Sequence, residues 1–315
     1  MRNEGVSEIE SIEVARPTVS VVIPTRGRPK QVHRAVASAL GQSYRQLEVI
    51  VVVDGPDVDT ATILQSVDDA RLRVVALPTS RGAGGARNAG VEHALGTYVA
   101  FLDDDDTWRP TKIAQQLEAL FRVPHQYRTV VSCAAYWHFT DHTVVWPTRA
   151  PAEGERVGDY LFLRDHAGEG MLATPTLLLS RDLALHCPMP THLRTHEEWD
   201  WMLDLERAGA TFRVLLQPLV DVDARSERQS VSTGADWRLS TAWACVRATD
   251  LGPRAFSGFV LNEAARAAVM AGAGVRVYAA LGAMALTGRA RPRDILRFAG
   301  RPVALARRAR SSRRR

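Results

Sequence analysis

Four short aliphatic runs mark the first third of the chain: TVSVVIP (18–24), LEVIVVV (47–53), LRVVAL (72–77) and TYVAFL (97–102). They are apolar almost throughout rather than alternating, which is the pattern of strands covered on both faces. Residues 29–41, 58–67 and 84–95, which separate them, have helical length and composition. The resulting βαβαβαβ order predicts a parallel sheet, in which ligands bind beyond the carboxyl ends of the strands. The polar segments TRGRP, DGPDVDT, PTSRGAGGARNAG and DDDDTW, each following one of these runs, should therefore share one rim.

The pattern is more mixed from residue 129. TVVSCAAYWHF (129–139), TPTLLLS (174–180) and TFRVLLQ (211–217) predict strands, and HEEWDWMLDLERAG (196–209) predicts an amphipathic helix ended by Gly209. Beyond residue 236 the chain is Ala-rich and helical, with breaks at LGP (251–253) and RPR (291–293). This gives a polar lead at 1–17, an α/β half at 18–128, a mixed half at 129–235, and a helical extension with a basic tail at 236–315.

Composition adds few constraints. At 315 residues with 46% hydrophobic content the chain can bury a large core. Cys133, Cys187 and Cys245 are too widely spaced for a disulfide framework or a CxxC metal site, and a reducing compartment fits. The N-terminal segment lacks the apolar core of a signal peptide, so a cytoplasmic location is expected. The net charge of +5 is unevenly distributed: residues 289–315 hold eleven arginines against Asp294, a sum of +10 that leaves −5 for the rest. Such a tail fits an anionic membrane surface better than nucleic acid and would place the protein peripherally at the inner membrane surface; a solvated tail without a partner is the plain alternative. The apolar stretch 267–288 is rich in Ala and Gly with Arg276 inside, which suits packed helices rather than a membrane span.

Four consecutive aspartates, Asp103 to Asp106, pose the main chemical question. Two carboxylates about 4 Å apart near a surface repel by about 4 kcal/mol. Proton uptake, a neighbouring arginine or a bound Mg²⁺ or Mn²⁺ would each offset this, and an isolated acidic turn needs none of them. Arg87 and Asn88, in the first turn of the helix after the glycine-rich SRGAGGARNAG, are donors suited to a diphosphate, although glycines there also serve close packing. FLDDDDTW also matches a phosphatase pattern with Asp103 as nucleophile and Asp105 as acid; the chain's two lysines, Lys30 and Lys112, are badly placed for the phosphate-steadying role.

Taken in order, VSVVIPTRGRP, LEVIVVVDGPD, GAGGARNAG, YVAFLDDDDTW and HEEWDWML resemble the family 2 glycosyltransferases of GT-A fold over residues 18–235. The resemblance implies an α/β fold with a Rossmann-like nucleotide-binding half, a mostly parallel central sheet and a mixed acceptor half. It implies a nucleotide-sugar donor, UDP-sugar favoured, bound by Pro24, Thr25, Arg26, Asp54, Arg87, Asn88, Asp103 and Asp104. A DxD motif at Asp103-Asp104-Asp105 would hold Mg²⁺ or Mn²⁺ through Asp105 and Asp103. The family's base comes from an ED pair opening a helix; the matching pair is Glu197-Glu198, with Glu198 as the inverting base and Glu197 and Asp200 in reserve. Thr195 and Glu198 also spell a T-x-x-E capping box, a purely structural use of the same residues. The chain departs from the family in keeping only Asp54 before Gly55 and in placing Glu227 where a histidine is usual in DARSERQSVS; Arg225 and Arg228 are alternative phosphate contacts. The acceptor hydroxyl could belong to a cell-surface glycan, a lipid-linked glycan, a natural product or a protein. A nucleotide-sugar sensor without turnover and a sugar nucleotidyltransferase are the competing functions. The aromatics Tyr136, Trp137, Trp146, Trp199 and Trp201 are expected mostly in the core, and His138, His142, His186, His192 and His196 lack metal-ligand spacing.

Overall fold

A computed structural model describes residues 19–193, 195–225 and 236–301. The predicted βαβαβαβ unit is present: β1 (Val19–Thr25), α1 (Pro29–Leu40), β2 (Leu47–Val53), α2 (Val58–Gln65), β3 (Leu72–Ala76), α3 (Gly82–His93) and β4 (Tyr98–Phe101). Strands β3, β2, β1 and β4 lie side by side and parallel. β1 is buried at every position because both faces are covered. Val19, Val21 and Ile23 pack with α1, whereas Val22 packs with α3, so the two-residue period of the strand divides its side chains between two apolar layers.

The rest of the sheet is built from the second half. β5 (Thr107–Trp108) is followed by α4 (Lys112–Phe121), β6 (Thr129–His138), β7 (Thr143–Trp146), α5 (Val157–Phe162), β8 (Leu178–Ser180), α6 (Arg181–His186), α7 (Glu197–Arg207) and β9 (Thr211–Asp223). The strand order is β3-β2-β1-β4-β8-β6-β9-β5, with β7 beside β6. β8 runs antiparallel to β4, and the two-residue β5 pairs with the far end of β9. The two halves thus share one sheet rather than meeting as separate bodies. Three local expectations are corrected. Residues 174–176 form a 3₁₀ turn with only Leu178–Ser180 in the sheet. β9 runs six residues past 217, because an irregularity in its pairing with β6 skips from Leu215 to Pro218 and lets the strand resume. Helix α7 begins at Glu197 behind His196, which sits in the left-handed region (φ 68°) and makes no side-chain cap, so the capping box at Thr195 is not formed.

The extension comprises α8 (Trp237–Val246), α9 (Ala248–Phe259), a π-helical turn at Val260–Ala264, α10 (Ala265–Met270) and α11 (Val275–Thr287), with residues 292–301 again helical. The LGP break is real: Gly252 has φ 72° inside α9. Ala255, Phe259, Val260 and Leu261 join the same apolar cluster as Val22, Phe101 and Trp201, so the extension is packed onto one face of the sheet. Among the described residues no helix is long and apolar enough to cross a membrane. Most of the basic tail, including residues 302–315, lies outside the described residues, as do Glu227 and Arg228.

Candidate active site

The segments following β1, β2 and β4 and the start of α3 come together, as the parallel arrangement requires. Beyond β1, Thr25 donates a hydrogen bond of 2.8 Å to Asp104. Arg28 reaches the same carboxylate at 2.7 Å and Asp105 at 3.5 Å. Arg87, almost fully buried on α3, donates to Asp103. Asp106 accepts the Asp223 amide at 3.0 Å, which ties the aspartate run to the end of β9.

The aspartate repulsion is therefore offset partly by two guanidiniums and partly through protonation equilibria. Burial, then the neighbouring Asp103 and Asp104 charges, push Asp105 up to about 6 against the pull of Arg28. Asp106 is raised well above the ordinary carboxylate range by burial and by Asp103 and Asp105. Asp104 is raised by burial despite Arg28 and Thr25. Burial is the first cause of all three shifts, which sets the run apart from a solvated acidic turn.

Beyond β2, Asp54 is buried and uses both oxygens on the loop that opens α3. Ser80 Oγ donates at 2.6 Å, and the Arg81 and Gly82 amides donate at 2.6 and 3.0 Å. Arg26 donates to Ser80 Oγ at 2.9 Å, so it connects to Asp54 through that hydroxyl. Asp57, which carried no role in the sequence reading, caps α2 and accepts the Gly27 amide at 2.6 Å. Its signal was available as an N-cap position, but the sequence does not show that the cap also anchors the loop after β1. Pro24 is a buried β1 position paired with Val52.

Asn88 is turned away from this rim. Its amide clamps the Met189 backbone from both sides, donating to the carbonyl at 2.8 Å and accepting from the amide at 2.9 Å. The glycines of SRGAGGARNAG are explained in part by packing: a Cβ at Gly90 would stand 2.3 Å from Val22 Cγ1 and 3.2 Å from Val52 Cγ2, so α3 can lie on β1 and β2 only with glycine there.

Arg87 also connects the two halves of the site. Its charge is stabilised by Asp103 and, from α7, by Glu198 and Glu197. Glu198 accepts a hydrogen bond from the Thr174 hydroxyl. Burial raises its pKa and Asp103 adds to this, while Arg87 opposes them. Asp200 points the other way: it accepts Trp243 Nε1 at 2.8 Å and a two-pronged Arg247 at 2.6 and 2.7 Å. These contacts fix α7 to the extension and leave Asp200 buried away from the aspartate run. His196 is held neutral at about 4, chiefly by burial; it stacks on Trp199 at 5.0 Å and contacts Ser240 at 2.8 Å. Trp201 is core, donating to the Cys187 carbonyl, and Trp137 and Trp146 pack on each other at 6.0 Å.

Among the described residues no three His, Cys, Asp or Glu side chains converge to hold an ion by themselves. The oxygen donors of Asp103 and Asp105 nevertheless fit a hard cation of the kind that keeps several other ligands and completes its shell with substrate phosphate oxygens.

The profile described as Glycosyl transferase family 2 matches residues 20–183, more than half of the chain. The amylovoran biosynthesis glycosyltransferase AmsB of Erwinia amylovora is 27% identical over 232 residues, 71% of this chain and 75% of that protein. The putative teichuronic acid biosynthesis glycosyltransferase TuaG of Bacillus subtilis is 31% identical over 62% of this chain and 75% of its own length. WfaP of Escherichia coli, a UDP-Glc:alpha-D-GlcNAc-diphosphoundecaprenol beta-1,3-glucosyltransferase, is 37% identical over 31% of this chain and 39% of its own. Among solved structures, S. aureus TarS (residues 1–349) in complex with UDP superposes with a TM-score of 0.54 at 18% identity, covering 78% of this chain and 66% of TarS, a likeness of fold. With the family profile covering more than half of its length, the chain belongs to glycosyl transferase family 2 and is a glycosyltransferase.

Proposed function

We propose that the enzyme moves a sugar from a nucleoside diphosphate, UDP in preference, to an acceptor hydroxyl with inversion at the anomeric carbon. The observation that carries this reading is Arg87, whose buried guanidinium donates to Asp103 of the DxD run and whose charge also acts on Glu198 of α7. A donor diphosphate beside the aspartates would then lie within reach of an acceptor beside Glu198.

In this reading Glu198 takes the acceptor proton while the acceptor oxygen bonds to the anomeric carbon and the bond to the diphosphate breaks. Its raised pKa makes it a stronger base than an ordinary glutamate, and the Thr174 hydroxyl fixes its orientation. Glu197 borders the same guanidinium and remains the reserve; Asp200 is a positioning residue for α7. Asp105 and Asp103 would hold Mg²⁺ or Mn²⁺, which supplies positive charge to the departing diphosphate. Thr25 and Arg28 orient Asp104 for a ribose or water-mediated contact. Asp54, Ser80 and Arg26 shape the nucleotide end, with Pro24 as its floor, and Asn88 supports it by holding the Met189 segment. UDP as the nucleotide is supported by the donor named for WfaP and by the UDP bound to TarS. The names of AmsB and TuaG support a cell-surface polysaccharide as the product class.

The test combines binding and turnover. UDP with Mn²⁺ should raise the melting temperature with a dependence on ligand concentration. Glu198→Gln should keep that stabilisation while UDP release from a UDP-sugar falls about 10²-fold or more. Full turnover in Glu198→Gln would sink the base assignment, and no stabilisation by UDP at millimolar concentration would sink the donor.

A further inference from the structure

Far along the chain from the aspartates, α5, the π-helical turn, α10 and the helix over 292–301 enclose a cavity of about 470 Å³. Arg164, Arg266, Arg297 and Arg301 line it, with His166 and Glu263. Glu263 is the one carboxylate in the lining, and it serves two guanidiniums, Arg164 and Arg266, each at 3.2 Å. Arg297 and Arg301 have no carboxylate among these lining residues. Arg297 donates to the backbone carbonyls of Arg164 and Asp165, and Arg301 to those of Leu261 and Asn262 at 2.6 and 3.1 Å. The nearby acids are engaged elsewhere: Asp165 with Arg291 and Arg293, and Asp294 with Arg291 and Asn262. The lining therefore holds four guanidiniums against one carboxylate, an excess of three positive charges. Burial, with smaller repulsions from Arg266 and Arg297, pulls Arg301 down from the ordinary arginine range although Tyr278 and Glu263 oppose it.

We propose that this cavity is a binding site for a phosphate or diphosphate group, separate from the donor site. Guanidiniums present fixed, planar pairs of N–H donors that match phosphate oxygens, and a partly enclosed site strengthens the attraction. The volume admits a diphosphate with part of the group it is attached to. Phe162 lines the cavity and packs edge-on against Trp199 at 5.2 Å, one residue beyond Glu198, so an occupied cavity adjoins the helix that carries the base. The ligand is either a soluble phosphorylated molecule or the head group of a membrane lipid.

The test uses full-length protein with inorganic pyrophosphate as the probe, titrated by calorimetry in EDTA, with UDP binding measured separately in Mn²⁺. Wild type should bind pyrophosphate, and Arg266→Ala/Arg297→Ala should weaken it by about tenfold or more while leaving UDP affinity unchanged. Glu263→Gln removes the competing carboxylate and should tighten pyrophosphate binding severalfold, a gain that a folding defect cannot produce. Equal pyrophosphate affinity in wild type and in the double arginine variant would overturn the proposal, as would no binding by wild type or no gain in Glu263→Gln. Vesicles of phosphatidylcholine with phosphatidic acid, added to the pyrophosphate complex, separate the two sources: displacement assigns a lipid head group, and retention of pyrophosphate assigns a soluble phosphorylated ligand.

Discussion

Replacing Arg87 with methionine tests the centre of the site. Arg87 is 5% exposed, donates to Asp103, and its charge is stabilised by Glu198 and Glu197 as well. Methionine keeps the length and apolar stem but leaves these carboxylates beside one another without their counter-charge. Breaking a fully buried pair costs about 3–5 kcal/mol, and Asp103 retains 28% side-chain exposure, so about 3 kcal/mol is expected. For a chain of this size that corresponds to a fall in melting temperature of about 4–5 °C. The sign with pH is fixed. Loss of the cation raises the native pKa of Glu198 further above its unfolded value, so the deficit is full above that native value and shrinks as falling pH protonates the carboxylate. Thermal melts of both proteins at several pH values would measure this, and the acid limb of the UDP-sugar hydrolysis profile should move to higher pH in the variant because Glu198 holds its proton longer. A variant that melts with wild type at neutral pH, or one whose acid limb does not move, would refute the bridging role of Arg87.

Three further outcomes follow from the packing. Gly90→Ala should destabilise by about 1–3 kcal/mol through the 2.3 Å approach to Val22 Cγ1, and Val22→Ala in the same chain should recover part of the loss, as a double-mutant cycle of denaturant midpoints would show. Asp200→Asn should lower the melting temperature by weakening the Arg247 and Trp243 contacts while UDP affinity stays at the wild-type value; a selective loss of turnover without destabilisation would return Asp200 to the chemistry. Lys112 is buried between Gln116 and the Trp108 ring, and burial lowers it to about 8. The native state releases this proton before the unfolded state does, so its contribution to stability rises as the pH passes from below 8 towards 10; Lys112→Met should remove that part of the pH dependence of the melting temperature.

The division between what could be read along the chain and what could not follows from the range of the forces involved. Near-continuous apolar strands separated by helix-length segments carry their own evidence of a doubly covered parallel sheet, and the strand ends place Thr25, Asp54 and Asp103 on one rim, because direction and register along a parallel unit are set locally. Gly209 and the LGP break are likewise local, since a positive φ or a proline ring acts on its own residue. The second half was less legible. The two-residue β5 owes its form to a partner strand more than a hundred residues away, the 3₁₀ turn before β8 to bonds from Trp108 and Gln116, and the extended β9 to a pairing irregularity, and no short-range period announces them.

The same distinction governs the site. Residue types and order disclosed a carboxylate cluster, a glycine-rich helix start and an acidic helix entrance. Only the tertiary structure decided how their charges are compensated: Arg28 and Arg87 stand against the aspartates, Asn88 clamps the Met189 backbone, Asp200 anchors the extension through Arg247, and Glu198 accepts from Thr174 in place of the capping box. Of the four arginines around Glu263, only Arg297 and Arg301 belong to the basic C-terminal region, and Arg164 and Arg266 join them because folding gathers distant charges around one cavity. Local sequence specifies backbone preference and chemical type, while the Coulomb and desolvation energies that assign roles depend on distances set by the whole fold.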